Sequence, residues 1–369
     1  MEKDHLYNRF QRQSILPDFG VTAQQKLQEA KVLIIGVGGL GCPALQYLAA
    51  IGVGHLGIVD GDSISLSNLH RQILYGTKDI GRLKAEVAKE KIAMQNESIL
   101  VTVYPQHLDQ SNAFSIITEY DIVLDCTDNF KTRYIINDAC VILRKPLVFG
   151  AAHQYEGQVA VFNSAPGAVH YRDLFPIPSK PGEVPNCEEA GIFNIVTGVI
   201  GNLQAGEAIK LITGIGQVLS GQLLTFNALH TSFYTVEISP AGPLNIPLDK
   251  DTFYDYDYDV FCGLKKHQHT EISAREFDEL VGKGVQIIDI RNEDELPEVS
   301  ELNAIKIPLR ILRENIAQLD PEKKIILFCH SGIRTQTALD MLEDEFHMTN
   351  VAHLKGGIIK WLDYKSTTK

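Results

Sequence analysis

Cysteine is scarce in this chain and never closely paired. Its six cysteines, Cys42, Cys126, Cys140, Cys187, Cys262 and Cys329, are scattered, which argues against a disulfide framework and against a zinc ribbon. No apolar run approaches the length of a membrane span, and the opening residues MEKDHLYNRFQRQ lack the apolar stretch of a secretory signal. There is no low-complexity tract and no internal repeat. Positive charge is in deficit: 34 Lys and Arg stand against 46 Asp and Glu, a net charge of −12. That balance argues against nonspecific binding to nucleic acid or anionic membrane, although a local cluster of Arg and Lys can still hold an anion. Together these absences predict a soluble protein of the reducing cytoplasm.

What remains is the composition of a globular protein, 44% hydrophobic and 22% charged over 369 residues. That length exceeds one ordinary core and suits two domains, one larger than the other. KVLII (31–35) is a β-branched run leading into glycines, read as a buried parallel strand. A helical pattern follows over 43–51, then strands at HLGIVD (55–60), DIVLDC (121–126) and PLVFGA (146–151). Strands alternating with helices predict a mostly parallel, Rossmann-like sheet with helices on both faces. Residues 156–162 and 223–238 read as antiparallel strands completing it, with one or two buried helices over 191–214. The Pro-, Asp- and Tyr-rich stretch after Ile238 has no clear period and reads as a linker. A second alternation then predicts a compact α/β domain: helix 273–281, strands 285–290 and 324–329, helix 335–346 and a final helix containing Trp361. The expected division is 1–243, a linker over 244–269, and 270–369.

Gly36, Gly38, Gly39 and Gly41 sit between a strand and a helix in G-x-G-G-x-G order. Glycines there allow a tight turn and let backbone N–H groups approach a phosphate at the helix N-terminus. Asp60, ending the next strand, is placed to bind ribose hydroxyls. This much does not separate NAD from ATP, and a glycine-rich turn without a ligand is the bland alternative. Arg71 and Lys84 supply what expelling pyrophosphate from a triphosphate needs, added cations on the leaving group. Asp128, just past a strand end, could hold magnesium, a hard cation suited to carboxylate and phosphate oxygens. Singly, these residues also read as surface charges or as a helix N-cap.

RFQRQ (9–13), GVGGLG, the run from Asp60 to Gln72, GRLKAE (81–86), LDCTDN (124–129) and CEEAG (187–191) together resemble the MoeB/ThiF family, relatives of the ubiquitin-activating enzymes. The resemblance covers roughly residues 5–240. It implies that Asp60 binds ribose, that Asn68, Arg71, Gln72 and Lys84 contact the phosphates of ATP, and that Asp128, beside Asn129, coordinates magnesium. It implies that Arg12 reaches into a partner subunit's ATP site, hence a homodimer. The implied reaction is adenylation of the C-terminal glycine of a ubiquitin-fold sulfur-carrier protein bearing a Gly-Gly tail. Cys187, in the loop-like stretch PGEVPNCEEAG, is the candidate reactive thiol of this half, accepting the acyl group or exchanging with a persulfide. Cys42, Cys126 and Cys140 lie in or beside core patterns and read as inert packing residues. Where many members of the family hold a zinc with two Cys-x-x-Cys pairs, this chain has His170-Tyr171-Arg172-Asp173. No structural zinc is expected.

Cys329-His330-Ser331-Gly332-Ile333-Arg334 follows a buried strand and precedes a helix. A loop so placed curls its N–H groups toward the sulfur, and the helix N-terminus adds partial positive charge, both stabilising a thiolate or persulfide. Tyrosine phosphatases use a similar cradle one residue longer, sized for phosphate. With DIRNEDEL (289–296) upstream and LKGGIIKW (354–361) downstream, the region from about 270 onward resembles a rhodanese domain. The resemblance implies a persulfide on Cys329, steadied by Arg334, with Asp289 and Arg291 paired nearby. The sulfur donor is thiosulfate or a protein persulfide. Two other readings compete: an NAD-dependent oxidoreductase fused to a rhodanese domain, and a non-catalytic ubiquitin-fold binding module.

Overall fold

The computed structural model describes residues 2–178, 190–242, 246–264 and 269–368. The chain divides into two compact units, Met1–Lys265 and Lys266–Lys369. In the first, the KVLII run is β1 (Lys31–Ile35), and Val32, Leu33 and Ile34 are fully buried because both sheet faces are covered. Each such side chain contributes about 1.5–3 kcal/mol of burial. β2 (His55–Val59) and β3 (Leu100–Tyr104) lie on one side of β1, and β4 (Ile122–Asp125) and β5 (Leu147–His153) on the other, all parallel. β6 (Glu156–Phe162), β7 (Gln222–Asn227) and β8 (Ser232–Glu237) extend the sheet antiparallel, giving the order β3-β2-β1-β4-β5-β6-β7-β8. The chain leaves β1 toward β2 and returns to β4 on its other side. That reversal opens a crevice at the C-terminal ends of β1 and β4, where doubly wound folds bind ligands.

The span read as one or two helices is a single 20-residue helix, Asn194–Thr213, packed on β5 and β6 and on the helix Gly41–Ile51. Gly201 permits that crossing, since a Cβ there would lie 2.2 Å from the carbonyl oxygen of Leu40.

The stretch read as a linker is different in the structure: residues 246–264 belong to the first unit. Asp249 caps the short helix Lys250–Asp255 by accepting the Thr252 N–H, and Asp257 caps Tyr258–Phe261. Phe253 and Tyr258 are buried in the core. Asp138 accepts two bonds from Arg172, Nε at 2.8 Å and Nη2 at 2.6 Å, and one from the Tyr258 hydroxyl at 2.8 Å. The Arg172 guanidinium lies against the rings of Tyr134, Tyr256 and Phe261, 4.8, 5.2 and 4.4 Å from their centroids. The segment shows no period because isolated aromatic anchors attach it.

Where the zinc ligands of other members would begin, Asp173 Oδ2 accepts the His170 N–H at 2.8 Å and Oδ1 accepts the Ala241 N–H at 2.9 Å. The pair therefore starts the helix Tyr171–Leu174 and ties it to the chain beyond β8.

The second unit is a five-stranded parallel sheet of β9 (Glu271–Ile272), β10 (Gln286–Asp289), β11 (Ile305–Lys306), β12 (Ile325–Phe328) and β13 (Val351–Leu354), in the order β11-β10-β12-β13-β9. Ser273 and Glu276 form a reciprocal capping box at the helix Ala274–Leu280. Trp361, on the helix Gly357–Thr368, is buried against Phe277 and donates Nε1–H to Asp278 at 3.0 Å. Among the described residues no helix is long and apolar enough to cross a membrane.

Candidate active sites

β1 ends at Ile35 and the chain turns at Gly36, whose φ of +87° suits a residue without Cβ. The turn is pinned through Val37. Its N–H donates to Asp60 Oδ2 at 2.9 Å, and its carbonyl accepts the Tyr75 hydroxyl at 2.9 Å. Gly41 opens the following helix so close to the turn that a Cβ would stand 2.0 Å from the Gly36 oxygen. Gly36, Gly38 and Gly39 line a cleft of about 950 Å³, with Asp60, Asn68, Arg71, Gln72, Lys84, Asp128 and Asn129. Ten of the residues singled out in the first half of the sequence thus meet in one cavity.

The charges in the cleft are arranged as a chain. The buried Asp60 also accepts the Asp62 N–H at 2.9 Å, and Asp62 Oδ2 accepts Lys84 Nζ at 2.7 Å. Burial raises the Asp60 carboxyl above its usual range, and Lys84 and the two amides oppose that shift. Lys84 is 6% exposed, so its ammonium is directed by Asp62 rather than by water. Arg71 donates to the Ser67 carbonyl at 3.2 Å, at the rim of the cleft. Asn129, not Asp128, caps the helix Phe130–Leu143 through the Thr132 N–H, leaving the Asp128 side chain exposed to the cleft. Buried polar atoms without a hydrogen-bond partner, Gln72 Oε1 and Arg133 Nε, belong to residues lining the same cavity. A glycine turn with room for phosphate, the buried ammonium of Lys84, unpaired polar atoms and a volume near the upper end of the ~300–1,000 Å³ of small-molecule pockets fit a nucleotide with space beyond it. The exposed carboxylate of Asp128 fits a hard divalent cation.

Not every expected residue joins this cavity. Arg12, on the helix Glu2–Ser14, is exposed and does not line the cleft. Cys187 lies outside the described residues. Cys42, Cys126 and Cys140 are buried, and burial pushes their thiols up, that of Cys42 to about 12, as inert packing residues require. Sequence reasoning missed Asp62 and Arg133. Asp62 is signalled by its two-residue spacing from Asp60. Arg133 lies one helical turn after Asn129, donates to the Thr127 carbonyl at 2.7 Å, and stacks 5.2 Å from the Phe149 centroid.

In the second unit, Cys329 follows the central strand β12 and is fully buried. The Gly332 N–H donates to its sulfur at 3.1 Å. Gly332 has φ +86°, and a Cβ on it would meet the Gly356 nitrogen at 3.0 Å. Gly357 backs the loop more closely still, a Cβ there lying 2.5 Å from the His330 oxygen, and the Ile358 N–H donates to the Cys329 carbonyl at 2.8 Å. Arg334, at the start of the helix Ile333–Asp344, grips Glu295 with two bonds of 2.5 and 2.6 Å. That pairing holds the Glu295 carboxyl at about 2. Asp289 and Arg291 form a buried bidentate pair, 2.9 and 2.7 Å, under the same rim. Glu295 is the partner that sequence reasoning passed over within DIRNEDEL.

A doubly wound nucleotide fold and a cysteine cradle on one chain define a two-part α/β enzyme. Residues 10–244 match the ThiF family and residues 273–364 match the Rhodanese-like domain. The chain belongs to the ThiF family and carries a rhodanese-like domain after it. It is 40% identical over 368 residues, 96% of this chain and 92% of the relative, to "Probable adenylyltransferase/sulfurtransferase MoeZ" of Mycobacterium tuberculosis. It is 39% identical over 374 residues, 96% of this chain and 83% of the relative, to "Adenylyltransferase and sulfurtransferase MOCS3" of Drosophila grimshawi. The "Sulfur carrier protein adenylyltransferase" of Thermus thermophilus is 47% identical over 268 residues, 70% of this chain and 97% of that protein. Among solved structures, E. coli MccB with MccA-N7isoASN shares the fold at a TM-score of 0.58 and 23% identity, covering 65% of this chain and 74% of that one. The chain is accordingly an enzyme with adenylyltransferase and sulfurtransferase activities.

Proposed function

We propose that this protein activates the C-terminal carboxylate of a ubiquitin-like sulfur-carrier protein with ATP and then converts it to a thiocarboxylate with sulfur carried on Cys329. The observation that carries the reading is the single cleft in which the glycine turn, Asp60, Arg71, Lys84 and Asp128 converge, on the same chain as the cradled Cys329. Gly36, Gly38 and Gly39 bring backbone amides to the phosphates, with Gly41 opening the helix behind them. Asp60 orients the ribose, while Asn68, Arg71, Gln72 and Lys84 hold the phosphate chain. Asp128, with Asn129 beside it, would hold magnesium, which supplies charge neutralisation on the triphosphate. Arg12 is assigned to the ATP site of a second copy in a homodimer.

A carboxylate oxygen of the carrier attacks the α-phosphorus and the bond to the pyrophosphate breaks, its electron pair leaving with pyrophosphate. The work asked of the protein is positioning and charge stabilisation. The terminal sulfur of a Cys329 persulfide then attacks the acyl carbon and AMP leaves, forming an acyl disulfide with Cys329. A second thiol cleaves that S–S bond, releasing the thiocarboxylate and leaving Cys329 in a disulfide. Cys187 is the candidate to accept the activated acyl group or to exchange with a persulfide. Arg334 and the loop amides steady the sulfur anion. The persulfide is charged by thiosulfate or by a protein persulfide, and the reaction is assigned to the cytoplasm. Carriers serving molybdopterin, thiamin or cysteine synthesis all present the required Gly-Gly tail.

The test incubates the enzyme with ATP, magnesium, a persulfide source and each carrier, and reads the carrier mass. Gain of sulfur in place of oxygen at the C-terminus is expected with at least one carrier. Cys329→Ala is expected to retain ATP–pyrophosphate exchange and to lose thiocarboxylate formation; a fully active Cys329→Ala would end the sulfur-relay reading.

A further inference from the structure

The sulfur-bearing loop hangs on a glycine, and a glycine needs an anchor. Gly332 supplies the N–H that reaches the Cys329 sulfur at 3.1 Å, yet as a glycine at φ +86° it is the least restrained residue of the loop. Its carbonyl accepts the Thr335 hydroxyl at 2.9 Å, and that hydroxyl oxygen lies 3.0 Å from His353 Nδ1. Thr335 and His353 are 0% and 2% exposed, so both are removed from water under the loop.

The geometry points to His353 as a positioning residue for sulfur transfer: from β13 it orients Thr335, which fixes the Gly332 peptide and with it the N–H aimed at the reacting sulfur. This inference rests on the proposed role of Cys329. A hydroxyl has one proton, and when Thr335 donates it to Gly332 the bond to His353 must be filled by an Nδ1–H. The other ring nitrogen, Nε2, then faces Glu271 Oε1 across 3.6 Å. A neutral ring with its proton on Nδ1 sets a bare Nε2 before that carboxylate, whereas an imidazolium satisfies both sides. A neutral ring that instead keeps its proton on Nε2, facing that carboxylate, leaves a bare Nδ1 that takes the Thr335 proton away from Gly332, so the protonation state of His353 bears on the loop through Thr335. The charged groups around the ring come from three elements. Glu271 on β9 is itself held by Lys355 at 2.6 Å, and Lys355 follows β13. His269, before β9, has its ring 6.3 Å from that of His353 and pairs with Asp340 and Glu343 on the helix Ile333–Asp344. Burial, with His269 and Lys355 in support, lowers the His353 pKa against the pull of Glu271.

The test uses the full chain and reads three quantities: carrier thiocarboxylate formation, the pH profile of Cys329 alkylation by iodoacetamide, and ATP–pyrophosphate exchange as an internal control. His353→Val and Thr335→Val should each slow thiocarboxylate formation about three- to tenfold, the scale of one neutral hydrogen bond, with exchange unchanged. His353→Asn, which keeps an amide N–H near the Nδ1 position, should recover most of the rate. It should also lose the inflection of the alkylation profile below the ordinary histidine range that is expected of the wild type. A wild-type rate and profile in His353→Val would overturn the inference. A slow His353→Val with no rescue by His353→Asn and an unaltered profile would reduce His353 to packing, which also overturns it. If His353→Val fails to fold, the His353→Asn profile decides. Activity surviving in Cys329→Ala would instead sink the parent reading, so the two failures are distinguishable.

Discussion

Lys84 and Glu295 show how one neighbour sets what a charged side chain does. Lys84, itself buried, is aimed by Asp62 at 2.7 Å, so its charge is positioned before any ligand arrives. Lys84→Ala is expected to lower ATP–pyrophosphate exchange about 10²–10³-fold, the usual cost of removing one preorganised donor. Glu295 works in the opposite sense: Arg334 holds its carboxyl at about 2. A folded-state value depressed below the unfolded one means stability present above the ordinary Glu range and lost as pH falls toward 2. Glu295→Gln should therefore lower the melting temperature of the second unit at pH 6, with the gap to wild type closing as the pH is lowered in a thermal scan. Both residues stand in the quoted motifs, yet only Lys84 was singled out. Charge type and spacing mark a residue as chemical; the identity of its partner emerges when the chain folds.

At the scale of elements, the β1–turn–helix unit was legible because three local signals agree: a β-branched strand, glycines at fixed offsets, and a helical pattern directly after. The reason for Gly41 itself is a clash, with a Cβ 2.0 Å from the Gly36 oxygen. Gly41→Ala should destabilise the first unit by about 1–3 kcal/mol, as overpacking does, read as a shift in denaturant midpoint. Gly198, inside the helix Asn194–Thr213 with nothing within 4 Å of its Cβ position, is the contrasting site. There alanine should be neutral or stabilising by about 0.5–1 kcal/mol. β13 escaped the sequence reading. Its four residues are all buried, but His353 reads as a polar interruption, and only the Thr335 hydroxyl beneath it explains why a histidine stands in a core strand.

For the whole molecule, the boundary of the first unit carries a prediction. The core side chains Phe253 and Tyr258 lie beyond residue 243. A chain ending at 264 should fold and exchange ATP with pyrophosphate, whereas one ending at 243 should be strongly destabilised or aggregate. Light scattering and thermal unfolding of the two truncations would decide it.

The sequence by itself determined the α/β class, the two-part organisation and the residue types of both sites, because strand runs, glycine spacing and Cys-to-Arg distance are properties of neighbours along the chain. Tertiary structure decided what joins distant positions. It placed Asp62 on Lys84 and Glu295 on Arg334. It fastened residues 249–262 to the first core through Arg172 and Asp138, and it set His353 under the Cys329 loop. Those contacts form only when strands from separate parts of the chain lie side by side, and no period or motif along the sequence records them.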